Sequence, residues 1–149
     1  VLALLTSTLH AAPLTSGNIV VAMGFTDKST PMLAEFTPAG SLVQTYAISS
    51  VPNGTEEWVS GVTVGLNNQP YVYAGEFHPA LWTVNTSTGV QSTQAPSNWS
   101  NVGNTNVGSL VAYQNYVYAT SENAANSNGG VFRFNLSNNT VQQMFVPNP

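Results

Sequence analysis

The sequence predicts an all-β, β-propeller-like fold: three consecutive four-stranded antiparallel blades with almost no helix. Three observations carry this. The tetrapeptide Tyr-Val-Tyr-Ala stands at 71–74 and again at 116–119, with a looser echo, Ile-Val-Val-Ala, at 19–22. Each copy belongs to a series of alternating strands and tight turns that returns about every 45–50 residues, the period of a propeller blade. No stretch holds apolar residues at spacings of three and four over a dozen positions, so helical periodicity is missing.

The first unit spans about 15–51, with strands expected at 18–23, 31–37 and 41–48. Its turns fall at 26–30 and at Pro38-Ala-Gly40, both rich in residues that favour reversal. The second unit spans about 58–96, with strands at 59–64, 71–77, 80–85 and 90–94. The third spans about 107–146, with strands at 109–113, 116–120, 130–135 and 141–145. Units two and three match best: Leu81-Trp-Thr-Val-Asn85 aligns with Val131-Phe-Arg-Phe-Asn135, each followed by a polar turn and a Val-Gln strand. Leu33-Ala-Glu-Phe-Thr37 takes the same place in unit one. Together the units make a single domain over 13–149. Residues 1–12 read either as the remnant of a secretory signal peptide, with cleavage near Ala11 or Ala12, or as a strand that completes the first blade or a neighbouring subunit's sheet.

Composition narrows the function classes. Of 149 residues, 42% are hydrophobic and 10% aromatic, enough for a real core. Only 5% are charged, against roughly 25% in ordinary soluble domains. Amides and hydroxyls supply the polar surface, which suits an exported or self-assembling protein, since little charge keeps copies apart. Net charge is −4, and Lys28 and Arg133 are the whole basic complement. No basic patch can form, which argues against nucleic acid and anionic lipid as partners. The absence of cysteine removes disulfides, thiolate zinc sites and cysteine nucleophiles. The residues 1–12 are too short to span a bilayer.

Acid–base chemistry has few candidates: Asp27, Glu35, Glu56, Glu57, Glu76, Glu122, His10 and His78. Glu76-Phe77-His78 is the one local cluster, because residues 76 and 78 of a strand share a face; a solvated turn pair is the favoured assignment. Adjacent Glu56 and Glu57 would point to opposite faces, which disfavours a paired-carboxylate hydrolase site. No nucleophile elbow, phosphate loop or dinucleotide fingerprint is present. The expectation is therefore no catalytic residues, no metal site, no cofactor and no enzyme activity.

Binding candidates sit in the long polar links 96–106 and 122–130. Trp99, Asn123 and Asn126 are the ligand-binding candidates, with carbohydrate as the ligand class, since a loop tryptophan can stack on a sugar ring. Trp58 and Trp82 would do the same if exposed. Tyr71, Tyr73, Tyr116 and Tyr118 alternate with valines, so either tyrosines or valines face the neighbouring blade; core packing is the default for both. Asn-x-Ser/Thr triplets make Asn53, Asn85, Asn98, Asn135 and Asn138 glycosylation candidates. A composition this rich in Asn, Ser and Thr yields roughly 3–4 such triplets by chance.

Several strings resemble those of secreted bacterial β-propeller repeat proteins, of the kind common in planctomycetes, verrucomicrobia and cyanobacteria. They are Pro70-Tyr-Val-Tyr-Ala-Gly-Glu-Phe-His-Pro-Ala-Leu81, Trp99-Ser-Asn-Val-Gly-Asn104, Ala112-Tyr-Gln-Asn-Tyr-Val-Tyr-Ala-Thr120 and Asn128-Gly-Gly-Val-Phe-Arg-Phe-Asn-Leu136. Leu14-Thr-Ser-Gly-Asn-Ile-Val-Val21 and Glu35-Phe-Thr-Pro-Ala-Gly-Ser-Leu-Val-Gln44 are similar to segments that open such chains. The resemblance implies a propeller fold and export, and no activity. Asn85 and Asn135 stand where relatives carry acidic turn residues, which speaks against calcium, a cation that needs carboxylate oxygens.

Closed propellers use about 4–8 blades. Three leave open edges, so the chain is a fragment of a longer protein, half of a six-bladed dimer, or a link in an open polymer. The expected function is an extracellular structural subunit that self-assembles into a fibre, sheath or matrix by strand pairing and blade-face packing. Its expected partners are copies of itself and glycans. The alternatives are a secreted carbohydrate-binding module and, third, a propeller-fold lyase or glycosidase.

Overall fold

A computed structural model describes residues 12–24, 32–48, 59–74, 80–94, 105–123 and 130–145. The described residues form three antiparallel sheets, as the all-β expectation requires. The first holds β1 (Ile19–Met23), β2 (Met32–Phe36) and β3 (Leu42–Ala47) in that order. The second holds β4 (Val59–Val64), β5 (Pro70–Ala74), β6 (Ala80–Val84) and β7 (Gln91–Gln94). The third holds β8 (Thr105–Tyr113), β9 (Tyr116–Asn123), β10 (Gly130–Asn135) and β11 (Thr140–Phe145). Neighbours in sequence are neighbours in each sheet, so each is a simple meander. Helix is limited, among the described residues, to one 3-10 turn at Leu66–Asn68.

The first sheet shows the three strands expected within 15–51; the strand that residues 1–12 were expected to add lies, but for Ala12, outside the described residues. Two boundaries shift. β8 begins at Thr105, inside the stretch expected to be a link, and β9 continues through Asn123, where a loop was expected. Backbone pairing, with Thr105 opposite Asn123, extends the ladder into segments whose polar side chains carry no strand signal.

The turns work as their residues dictate. Pro38-Ala-Gly40 closes the β2–β3 hairpin: Gly40 takes φ +83, Thr37 N–H donates to the Ser41 carbonyl at 2.8 Å, and Gly40 N–H to the Thr37 carbonyl at 2.9 Å. After β6, the Asn85 side-chain oxygen accepts from the Ser87 and Thr88 N–H groups at 3.0 and 3.1 Å, and Asn135 does the same for Ser137 N–H at 2.9 Å after β10. The repeat thus reuses an asparagine turn, the side chain standing in for a backbone carbonyl.

The second sheet is packed on both faces. Val72, Trp82 and Val84 meet Leu14, Leu33, Tyr46 and Ile48 of the first sheet and its approach. Tyr73 and Leu81 meet Leu110, Val117, Ala119, Phe132, Phe134 and Val141 of the third. In the second sheet, therefore, both the valine set and the tyrosine set face a neighbour. Trp82 lies wholly within the first of these cores (0% exposed), which removes it from the sugar-stacking candidates. The first strands of the sheets lie side by side, β1 by β4 and β4 by β8. Ala112 N–H donates across the second contact to the Thr63 hydroxyl at 2.9 Å, and elsewhere between the first and second sheets the Gln91 side-chain amide of β7 donates to the Ala47 carbonyl of β3 at 2.5 Å.

Gly65 marks how closely the second and third sheets approach. A Cβ there would stand 2.9 Å from Tyr71 Cε2 and 3.4 Å from Ala112 Cβ. Tyr71 is half-buried and packs against the core between these sheets, and its burial pushes the phenol pKa upward. Gly65→Ala is expected to cost about 1–3 kcal/mol through overpacking, measurable as a lower urea midpoint with an unchanged slope.

Candidate functional site

Two kinds of place could carry function: polar clusters able to do chemistry, and surfaces able to meet a partner. The polar cluster with most to offer is centred on Glu35. β2 aims it at the same side as Leu33, into the space between the first and second sheets, where it is 0% exposed. Its Oε1 accepts from Thr15 N–H at 2.8 Å and from the Asn18 amide at 2.7 Å, and its Oε2 from the Gln44 amide at 2.5 Å. Burial pushes its carboxyl pKa up, but the hydrogen bonds from Gln44, Thr15 and Asn18 together outweigh this, and it lies below the ordinary carboxylate value. Beside it, burial first and the Glu35 charge second raise the Tyr46 phenol to about 12. The Tyr46 hydroxyl donates to the Ala12 carbonyl, and Gln44 exchanges two further hydrogen bonds with Ala12 at 3.2 and 3.0 Å.

This arrangement ties segment 12–18 to β2 and β3. Both carboxylate oxygens are occupied by donors and closed to solvent, so the group is placed to hold structure and not to transfer a proton to a ligand. Glu35 was only one of several acids in the sequence. Its one sequence signal is Gln44 across the Pro-Ala-Gly hairpin, a carboxylate and an amide brought opposite one another by the β2–β3 register. No group of three or more metal-ligating side chains occurs among the described residues.

The predicted binding residues fare differently. Trp99 and Asn126 lie outside the described residues, as do Asn53, Asn98 and the Glu76–His78 pair. Asn123 is a strand residue at the end of β9 rather than part of a loop. Asn85 and Asn138 are exposed, and Asn135 is half-buried. The Asn138 side-chain oxygen accepts from the Thr140 hydroxyl at 2.8 Å. All three asparagines thus have turn-forming duties for their oxygens.

The surfaces that remain to be described are the outward faces of the first and third sheets. On the first sheet, the face turned away from the core carries Ile19, Val21 and Met23 from β1 and Met32, Ala34 and Phe36 from β2. These six are apolar, with Thr45 of β3 beside them; Ile19 is 50% exposed, whereas Ala34 is fully buried. An antiparallel sheet with one wet face alternates apolar and polar residues; this one is apolar on both faces of its first strand, the pattern of a sheet covered on both sides. On the third sheet, the corresponding outward face carries Val111 and Tyr113 from β8, Tyr116 and Tyr118 from β9, Arg133 from β10 and Gln142 from β11. Val111 is 58% and Tyr113 62% exposed. The Arg133 guanidinium lies 4.6 Å over the Tyr116 ring and donates to the Gln142 side-chain oxygen at 2.7 Å. Tyr116 and Tyr118 pack at 6.3 Å between ring centroids.

The chain matches no protein-family model, no curated protein and no solved structure. The faces themselves, then, bear the weight of a functional assignment. The repeat sharpens it: the tyrosines of the second Tyr-Val-Tyr-Ala point to the same side as those of the first, and in the first that side is buried against another sheet.

Proposed function

We propose that this chain is an extracellular structural subunit, built of three propeller-like blades, that assembles with copies of itself into a fibre, sheath or matrix. The observation that supports the proposal is the set of exposed apolar side chains on two sheet faces: Ile19 and Met23 on the first sheet, Val111 and Tyr113 on the third. A patch of exposed apolar side chains with little charge around it marks an interaction surface. The low charge of the whole chain supports the same view, since copies meet with little repulsion. Export is supported by the resemblance to secreted propeller repeats and by the amide- and hydroxyl-rich surface.

Sedimentation and electron microscopy of the purified chain over a rising concentration series test this directly. The expected result is filaments or particles several times the 15.7 kDa chain mass. A 15.7 kDa species that persists at every concentration overturns it. A second reading, a carbohydrate-binding module, is favoured by Tyr113, Tyr118 and Arg133 on one face, aromatic rings with a polar donor beside Tyr118. Saturable binding on a glycan array, abolished by Tyr113→Ala in a monomeric chain, is the result that would support it.

A further inference from the structure

We propose that segment 12–18 is an acid-released strap: protonation of Glu35 undocks it from the first sheet while the three sheets stay folded. Among the described residues, the segment belongs to no ladder. Its backbone-to-backbone hydrogen bond is internal, Asn18 N–H to the Thr15 carbonyl at 3.1 Å. Two things hold it to the sheet. Leu14 is buried in the core that contains Leu33, Tyr46 and Ile48. The side chains of Glu35, Gln44 and Tyr46 bond to Ala12, Thr15 and Asn18. An element tied in this way opens at lower cost than a strand with a neighbour on each side.

The trigger follows from where protons can sit. The Glu35 carboxylate is fully buried and meets donors only: Thr15 N–H and the Asn18 amide at Oε1, the Gln44 amide at Oε2. An ionised carboxylate accepts from all three; a carboxylic acid must donate from one of its oxygens. A proton on Oε1 stands against Thr15 N–H and Asn18 Nδ2. A proton on Oε2 stands against Gln44 Nε2. Turning the Gln44 amide over would relieve that, but it fails at Ala12. Gln44 Nε2 also donates to the Ala12 carbonyl at 3.0 Å, and its Oε1 accepts from Ala12 N–H at 3.2 Å. The turned amide would set N–H against N–H and oxygen against oxygen. Gln44 thus carries the protonation state of Glu35 to Ala12. Undocking offers water to every group left without a partner.

No second described titratable group shares this role in acid. The strap brings none, β1 brings Val20 opposite Glu35, and the second sheet brings Val72, Trp82 and Val84. From β3 comes Tyr46, whose phenol, raised to about 12, stays neutral throughout the acid range. Arg133, the only described cation, lies in the third sheet. Burial raises the docked carboxyl and the hydrogen bonds lower it further, leaving it below 4.5. Docking is therefore complete above that value and weakens as pH falls through the lower, docked one.

Hydrogen exchange of the full chain, expressed as protection relative to an unfolded chain at each pH, tests this. Between about pH 7 and about pH 3, the Ala12 and Thr15 amides are expected to lose protection, with a limiting slope of about tenfold per pH unit for one proton. The amides of the central strands β2, β5, β6, β9 and β10 are expected to keep theirs. In Glu35→Gln the strap is poorly protected already at neutral pH, and its profile is flat. Asn18→Ala is a gentler variant that keeps the carboxylate and removes one donor; its release midpoint moves to higher pH. Strap protection that stays constant with pH overturns the proposal, as do central strands that lose protection in step with the strap. So does a pH-dependent loss that persists in Glu35→Gln, or a midpoint unmoved in Asn18→Ala.

Discussion

Trp82→Ala lowers the stability of the folded chain by about 3–5 kcal/mol, a large part of the roughly 5–15 kcal/mol that holds a domain of this size. The indole is fully enclosed between the first and second sheets, against Leu33, Tyr46 and Ile48 on one side and flanked by Val72 and Val84 on its own. Its Nε1–H donates to the Gln91 side-chain oxygen at 3.1 Å, and the amide end of Gln91 holds the Ala47 carbonyl. Truncation thus opens a void and loosens a bridge between two sheets at once. Thermal unfolding should show a fall in Tm on the order of 10 °C. Trp82→Phe, which keeps much of the volume and loses the N–H, should fall between the two.

Glu35→Gln costs about 2 kcal/mol near neutral pH and removes most of the acid sensitivity of the fold. The carboxylate receives only donors: Thr15 N–H and the amides of Asn18 and Gln44. A glutamine keeps the shape but turns one acceptor into a donor, so at least one buried donor loses its partner. The hydrogen bonds hold the carboxyl below its ordinary 4.5, so the folded state prefers the ionised form. The stabilisation from Glu35 is whole above the unfolded value and is lost as pH falls through the lower folded value. Urea midpoints from pH 7 downward should show the wild type losing stability below about pH 4.5 while Glu35→Gln changes little, the two curves drawing together once the carboxyl is protonated. Parallel curves through that window would show that Glu35 is not the responsible group.

Strand content was legible because it rests on local chemistry. Alternation with a period of two, and turns built from Pro, Gly and Asn, act over a few residues, and β2, β6 and β10 fall where the repeated strings place them. Asn85 and Asn135 were recognisable as equivalent turn positions, and their oxygens do equivalent work. What was hidden depends on the third dimension. Trp82 in an alternating strand is compatible with core or surface, and only the stacking of the first sheet on the second decides between them. The tyrosines posed a choice of faces that dissolved once the second sheet proved to be covered on both. Glu35 gave little sign of its role because its partners come from a hairpin neighbour and from a segment about twenty residues earlier. The extension of β9 to Asn123 follows from backbone pairing, to which side-chain pattern is blind.

The knot of bonds around Ala12 also has a mechanical side. Gln44 grips both the N–H and the carbonyl of Ala12, Tyr46 shares that carbonyl, and Glu35 holds the N–H of Thr15. A pull applied to the chain at Ala12 is therefore shared in parallel by links to β2 and β3, and β1 is shielded from being unzipped one rung at a time. Tension applied there would enter the sheet broadside through this clasp.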